Sequence, residues 1–245
     1  MEPTRHDSTQ ARASMLPGNY SARTHILTTA LIASGIALIG LFVARQARLV
    51  DWWLAPAFFI VANFVEWAVH KNPMHRPLPP RILYQNHTLV HHRAFLHDSM
   101  PIRSTKELGL IMMPWYTMLG LYLVVSPVAI AAALWRGAGA AGIFYVSVTA
   151  YFVTYETLHA LYHLPEATLA KVGLGGPVFQ RRRAHHRHHH RLERMSHVNF
   201  NVTFPLFDWL MGTKEAPTPV TTAAAGVSAG SASSTESAEP RKARA

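Results

Sequence analysis

Residues 24–44 read "THILTTALIASGIALIGLFVA", a run without a single Asp, Glu, Lys or Arg. A helix needs about 20 apolar residues to cross a hydrocarbon core roughly 30 Å thick, and this run supplies them. Three more runs follow at residues 52–65, 108–135 and 137–155. The second is short, but it reads on through Glu66 to Val69 with that one charge, so it spans if the carboxylate sits near the interface. The third is longer than a bilayer requires and contains Pro114 and Pro127, which predicts a tilted or kinked span, or else a helix pair turning near Ser126 and Pro127. In a chain of 245 residues with 49% hydrophobic and 15% charged positions, four such runs leave too little polar surface for a soluble protein. The expected fold is all-α and integral to a membrane, with about four transmembrane helices.

The basic residues give the orientation. Residues 1–23, residues 71–106 and the chain after 160 together hold 20 of the 23 Lys and Arg. Cytoplasmic loops carry the excess of Lys and Arg, so both termini and the long middle loop are expected in the cytoplasm. The net charge of +10 is then chiefly a topology signal, with some attraction to anionic head groups; no motif supports nucleic acid binding. The expected organisation is a flexible cytoplasmic segment at 1–23, a membrane-embedded domain at 24–213 and a disordered Ala, Ser, Thr and Pro-rich tail at 214–245. The Ala and Arg usage suits a bacterial chain, and hence an inner membrane.

With no cysteine, any metal must be held by His, Asp or Glu. Sixteen histidines are present, and all but His6 and His25 fall between 70 and 197. They form four groups beside the expected cytoplasmic ends of the spans. "HKNPMH" gives His70 and His75; "NHTLVHHRAFLH" gives His87, His91, His92 and His97; "HALYH" gives His159 and His163; "HHRHHH" gives His185, His186 and His188 to His190, with His197 beyond. Residues four apart share a helix face, so His159 with His163, and His87 with His91, read as chelating pairs. His70 and His75 are five apart, but Pro73 predicts a helix end at Asn72, after which the chain folds His75 back. Each group alone is as readily an interfacial anchor or a solvated basic run; four together on one face are a metal site. Imidazole suits zinc, copper, iron and nickel, and this many donors suggests two ions. Glu66 and Glu156 each precede a histidine by a turn and are candidates to take its other ring proton, or else plain interfacial charges.

In order and spacing these groups resemble the His boxes of the fatty acid hydroxylase and sterol desaturase superfamily, membrane oxygenases with a cytosolic metal site. The resemblance covers residues 66 to 213: HxxxxH at His70 and His75, HxxxHH at His87, His91 and His92, HxxxH at His159 and His163, a closing HxxHH, and "NFNVTFPLFDWLMGT" at 199–213, similar to the family's final signature. The last box has two registers, His185 with His188 and His189, or His186 with His189 and His190; family members often read HHxxHH, which favours the second. The resemblance thus implies ten ligands, His70, His75, His87, His91, His92, His159, His163, His186, His189 and His190, with His185 and His188 as alternatives, in a His-rich helical cap around a dimetal site. It implies two iron ions (zinc as an isolation substitute), O₂, and hydroxylation or desaturation of a lipid C–H bond. A separate electron donor, a reductase, ferredoxin or cytochrome, is also implied, because "VGLGGP" at 172–177 is not GxGxxG and the tails are too short for a haem domain. The Arg-rich cytoplasmic face suits an acidic partner.

Trp115, Tyr116, Tyr122, Tyr151, Phe152 and Tyr155 are candidates to line a lateral lipid channel, although each is more readily a packing or lipid-facing residue. The competing class is a membrane metal-binding or transport protein. Transporters place polar donors near the bilayer midplane, whereas the runs at 24–44 and 108–135 carry no Asp, Glu, Lys or Arg. A metalloprotease would need HExxH, which the chain lacks.

Overall fold

The computed structural model describes residues 11, 12 and 14–216, and every element among them is helical. Four helical segments are long and apolar enough to cross a membrane, and the chain is an integral membrane protein. Helix α1 (Ala22–Ala44) starts where the Ser21 hydroxyl accepts the Thr24 N–H, an N-cap that occupies one of the free donors of a first turn. The second span opens with a 3₁₀ turn (Leu49–Trp53), runs as α2 (Leu54–Val69) and ends in a π-helical turn (His70–Met74). The third is α3 (Trp115–Arg136) and the fourth α4 (Ala138–Tyr162).

The third run holds one helix, not a pair. Pro114 is its N-cap and Pro127 lies inside. Residues 108–113 stay outside α3, in a 3₁₀ turn (Thr105–Leu110) and the bend after it. Pro127 has no N–H for the helix ladder; beside it the Ser126 hydroxyl bonds the Tyr122 carbonyl at 2.7 Å and the Tyr145 hydroxyl at 2.9 Å, tying α3 to α4. Gly137, with φ +91°, closes α3 and opens α4 in one residue, a conformation that glycine adopts freely.

Helix α4 is the central post. It is 61% buried over its apolar window, against 17–22% for the other three spans, because α1, α2 and α3 all pack on it. α1 approaches backbone to backbone: a Cβ on Gly142 would lie 2.3 Å from the Ala44 nitrogen, and one on Gly139 2.3 Å from the Ala47 nitrogen. Small residues permit such crossings where lipid supplies no hydrophobic drive between helices. At the same end, buried Asp51 bonds Arg48 and Arg136, clamping the start of the second span to the end of the third.

With four antiparallel spans, α2 and α4 finish on the same side. There the loop 71–114, α5 (Pro177–His189) and residues 198–213 form the cap. The N-terminal segment, expected to be flexible, is docked on this cap where it is described. Arg12 is 3% exposed; it bonds Glu107 and the Pro101 carbonyl, each at 3.1 Å, and its guanidinium lies 4.6 Å over the Phe95 ring. The expectation of disorder at 214–245 falls outside the described residues from 217 onward.

Candidate metal centre

The cap gathers ten histidines into two groups of five. His70, His75, His87, His92 and His189 form one; His91, His159, His163, His186 and His190 form the other, and within each group one ring nitrogen per residue lies within 4.8 Å of all the others. All ten are buried. The groups adjoin, because His91 and His92, neighbours in sequence, are split between them, as are His189 and His190. The His92 and His190 rings stack 4.4 Å apart across the divide.

Two π-helical turns produce this sorting, and they correct the local geometry expected from an α-helical repeat. The helix of span two does not stop at Asn72 but widens into a π-turn through Pro73, ending at Met74. Asn72 Nδ2 donates to the Ala68 carbonyl at 2.9 Å, beside the proline that has no N–H to give. A π-turn brings residues five apart onto one side, so His70 and His75 stack at 5.1 Å. The second π-helix, Gln85–His91, does the same for His87 and His92, whose Nε2 atoms are 3.1 Å apart. His87 and His91, read from sequence as one chelating pair, therefore belong to different groups. His159 and His163, on ordinary α-helix, do share one.

On α5 the side chains divide by face. His186, His189 and His190 turn into the two groups, while His185 and His188 point outward to carboxylates: His185 Nε2 is 3.1 Å from Asp208 Oδ2 and His188 Nε2 is 3.1 Å from Glu215 Oε1. Asp208 is a hub for the closing segment. It accepts the N–H groups of Phe200 and Asn201 and the Thr213 hydroxyl, each at 2.8 Å. Burial alone would raise its pKa, but the His185 bond, with the Asn201 N–H and Thr213, leaves it below the ordinary value.

The outer nitrogens of the rings are held mainly by backbone carbonyls. Nδ1 of His91 meets the Leu110 carbonyl at 2.8 Å, that of His163 the Met100 carbonyl at 3.0 Å and that of His189 the Val198 carbonyl at 2.8 Å; His70 and His190 use those of Phe200 and Phe95. His75 uses Thr88, whose hydroxyl donates to the Met74 carbonyl at 2.6 Å and so must accept from His75 Nδ1 at 3.2 Å. A carbonyl only accepts, so each of these rings carries its proton on Nδ1 and aims the Nε2 lone pair inward. Burial, reinforced by neighbouring imidazoles, holds the pKa values of His87, His92, His163, His186, His189 and His190 well below 6.5. The rings are therefore neutral at pH 7.

The decisive pair is His75 and His189. Their Nε2 atoms are 3.1 Å apart, and both have the proton committed to Nδ1. Two lone pairs at that distance repel unless a cation lies between them. The donor set fits metal ions, and the two groups are ones that could hold them.

The carboxylates act differently from expectation. Among the described residues, neither Glu66 nor Glu156 bonds an imidazole. Glu66 accepts the N–H groups of Val202 and Thr203 and the hydroxyls of Thr203 and Tyr151, and so fixes the strand of backbone beside the Phe200 carbonyl. Glu156 accepts the Met113 N–H at 3.1 Å. The backbone carbonyls, Thr88 and the Asn63–Tyr151–Thr203 cluster around Glu66 were not identified from the sequence; carbonyl orientation leaves no trace in residue type.

An apolar cavity of about 590 Å³ lies between α2, α3 and α4, and among the described residues His70 is the one histidine on its wall. Five of the six candidate aromatic residues line it, Tyr116, Tyr122, Tyr151, Phe152 and Tyr155, rather than serving only as packing; Trp115 does not.

A model of the fatty acid hydroxylase family matches residues 55–213. The chain belongs to that family. It thereby falls in the fatty acid hydroxylase and sterol desaturase superfamily, whose membership implies a lipid-modifying membrane oxygenase. The matched residues run from the second residue of α2 through α5 and the closing segment, and so include all ten histidines of the two groups in this hydroxylase family member. No curated protein and no solved structure gives a significant match.

Proposed function

We propose that this fatty acid hydroxylase family member is a diiron membrane oxygenase that hydroxylates or desaturates a C–H bond of a lipid, an acyl chain, a sterol or a related molecule. The observation that carries the reading is the facing pair of His75 and His189 lone pairs within ten buried imidazoles. His70, His75, His87, His92 and His189 would hold one ion, and His91, His159, His163, His186 and His190 the other. Iron bound there would supply the redox chemistry for O₂ activation and C–H oxidation, which zinc on the same ligands would not.

The chain's own residues prepare the site. The Phe200, Val198, Leu110, Met100 and Phe95 carbonyls and Thr88 orient the rings, so ion binding needs little reorganisation. The cavity offers an apolar chain a place between the spans, and His70 is on its wall. The Lys and Arg distribution supports a cytoplasmic position for the cap and both termini, in the inner membrane of a bacterial cell. Exposed Arg76, Arg81 and Arg93 on the cap suit an acidic electron donor. A transport reading needs donors distributed along the spans, whereas these ten gather at one end.

The test is lipid profiling of a producing strain and a deleted strain, with product formation by iron-loaded protein supplied with O₂ and a reductase. An oxygenated or newly unsaturated lipid that depends on His75 and His163 is expected. Metal-loaded protein that yields no such product would overturn the reading.

A further inference from the structure

The cavity wall is apolar but carries a few polar side chains; Tyr116 and Thr117 lie toward its exposed side, and of the buried ones, His70, Tyr122, Tyr151 and Tyr155, all but one are matched. His70 bonds the Phe200 carbonyl, Tyr122 bonds Thr149 at 2.9 Å, and Tyr151 bonds Glu66 and, at 2.7 Å, Asn63. Tyr155 is 6% exposed and lines the cavity, yet its hydroxyl has no hydrogen-bond partner among the described residues. An unmatched hydroxyl in an apolar site costs about 1–3 kcal/mol, and buried tyrosine hydroxyls usually find a partner. Its ring packs 5.6 Å from that of His159, one helical turn away, about 6 Å along α4. Tyr155 therefore joins the lipid cavity to the second histidine group, while His70 joins it to the first.

We infer that Tyr155 is a specificity-determining residue whose hydroxyl donates a hydrogen bond to an oxygen of the substrate. The substrate class is a long apolar lipid bearing a hydroxyl, ether or carbonyl oxygen, rather than a plain hydrocarbon. The oxygen sits beside the histidines and the hydrocarbon fills the cavity toward Phe144 and Val61. The carbon oxidised is then close to the existing oxygen function. That last consequence rests on the oxygenase reading; the binding preference does not.

Gly120 supplies the control for location. It lines the cavity on α3, and a Cβ placed there would meet nothing within 4 Å, so a large side chain at this position grows into the space. The experiment is displacement of tritiated hexadecan-1-ol from full-length protein in detergent, without O₂, by hexadecan-1-ol, methyl hexadecanoate and hexadecane. Wild type, Tyr155→Phe and Gly120→Trp are compared, each first checked for folding by thermal denaturation. Tyr155→Phe is expected to weaken the alcohol, the ester or both by about 3- to 10-fold, the size of one net hydrogen bond, with hexadecane unchanged. Loss with only one of the two identifies the oxygen as hydroxyl or carbonyl. Gly120→Trp is expected to weaken all three. Equal weakening of all three ligands by Tyr155→Phe, no weakening at all, or full binding by Gly120→Trp overturns the inference. Should the split appear in protein that binds no metal, the oxygenase reading fails and this one stands.

Discussion

His75 and His189 face each other through Nε2 atoms 3.1 Å apart, with the proton of each ring committed to Nδ1 on the far side. They come from the end of span two and the end of α5, over a hundred residues apart, and neither can donate to the other. Repulsion between the two facing lone pairs would push the rings apart unless a cation relieved it. The same closing segment that gives the Val198 carbonyl to His189 gives the Phe200 carbonyl to His70, so the fold of residues 198–213 sets the geometry of the first group.

Thr88 is the cheapest place to disturb that geometry without touching a ring. Thr88→Val keeps the shape but removes the acceptor for His75 Nδ1. Outer partners of metal-binding histidines typically contribute about 10- to 100-fold in metal affinity, and a loss of that size is expected at one of two sites, read by titration against a competing chelator. Unchanged affinity at both sites would count against the tautomer assignment.

The register of the final box has its own test. His186→Ala should lower metal content, because His186 stands in the second group. His185→Ala should leave metal per folded chain unchanged but lower the thermal midpoint, since it strips Asp208 of a buried partner at a cost of about 1–3 kcal/mol. Metal loss with His185→Ala alone, at full stability, would reverse the register.

Glu66 is expected to behave as a structural clamp. Glu66→Gln retains size but offers one fewer acceptor to Val202, Thr203 and Tyr151, and hydrogen bonds to a charged group are each worth about 1.5–3 kcal/mol. The thermal midpoint should fall in metal-free protein as well as in metal-loaded protein. A fall seen only with metal bound would instead make Glu66 a partner of the centre.

At the α1–α4 crossing, Gly142→Leu should prevent close packing, because even a Cβ there would overlap the Ala44 backbone. Gly120→Ala, with open space around it, should leave the midpoint within about 0.5 kcal/mol of wild type apart from a small gain in helix propensity. Denaturation in detergent separates the two; equal midpoints would refute the packing.

The spans were legible because bilayer thickness imposes a minimum apolar length, and His159 with His163 because an α-helix repeats every 3.6 residues. The grouping of His70 with His75 and of His87 with His92 was not, since it depends on two π-turns, and a π-turn has no reliable residue signature. Pro73 looked like a stop signal, yet the wider turn absorbs it. His185 and His188 were indistinguishable by type from their neighbours; only the position of Asp208 and Glu215, brought in by the closing segment, decides which face of α5 looks inward. Arg12 looked like part of a loose basic tail and is instead buried against Glu107 and Phe95, a long-range contact that local composition does not reveal.

The central claim is that two ions sit in two separable groups of five histidines. Metal analysis of anaerobically prepared, iron-loaded protein tests it directly, on wild type, His75→Ala and His163→Ala. The account predicts about two ions per chain in wild type, and about one in each variant with the other group still occupied. Wild-type protein that retains no stoichiometric metal after loading, or variants that keep both ions, would contradict it.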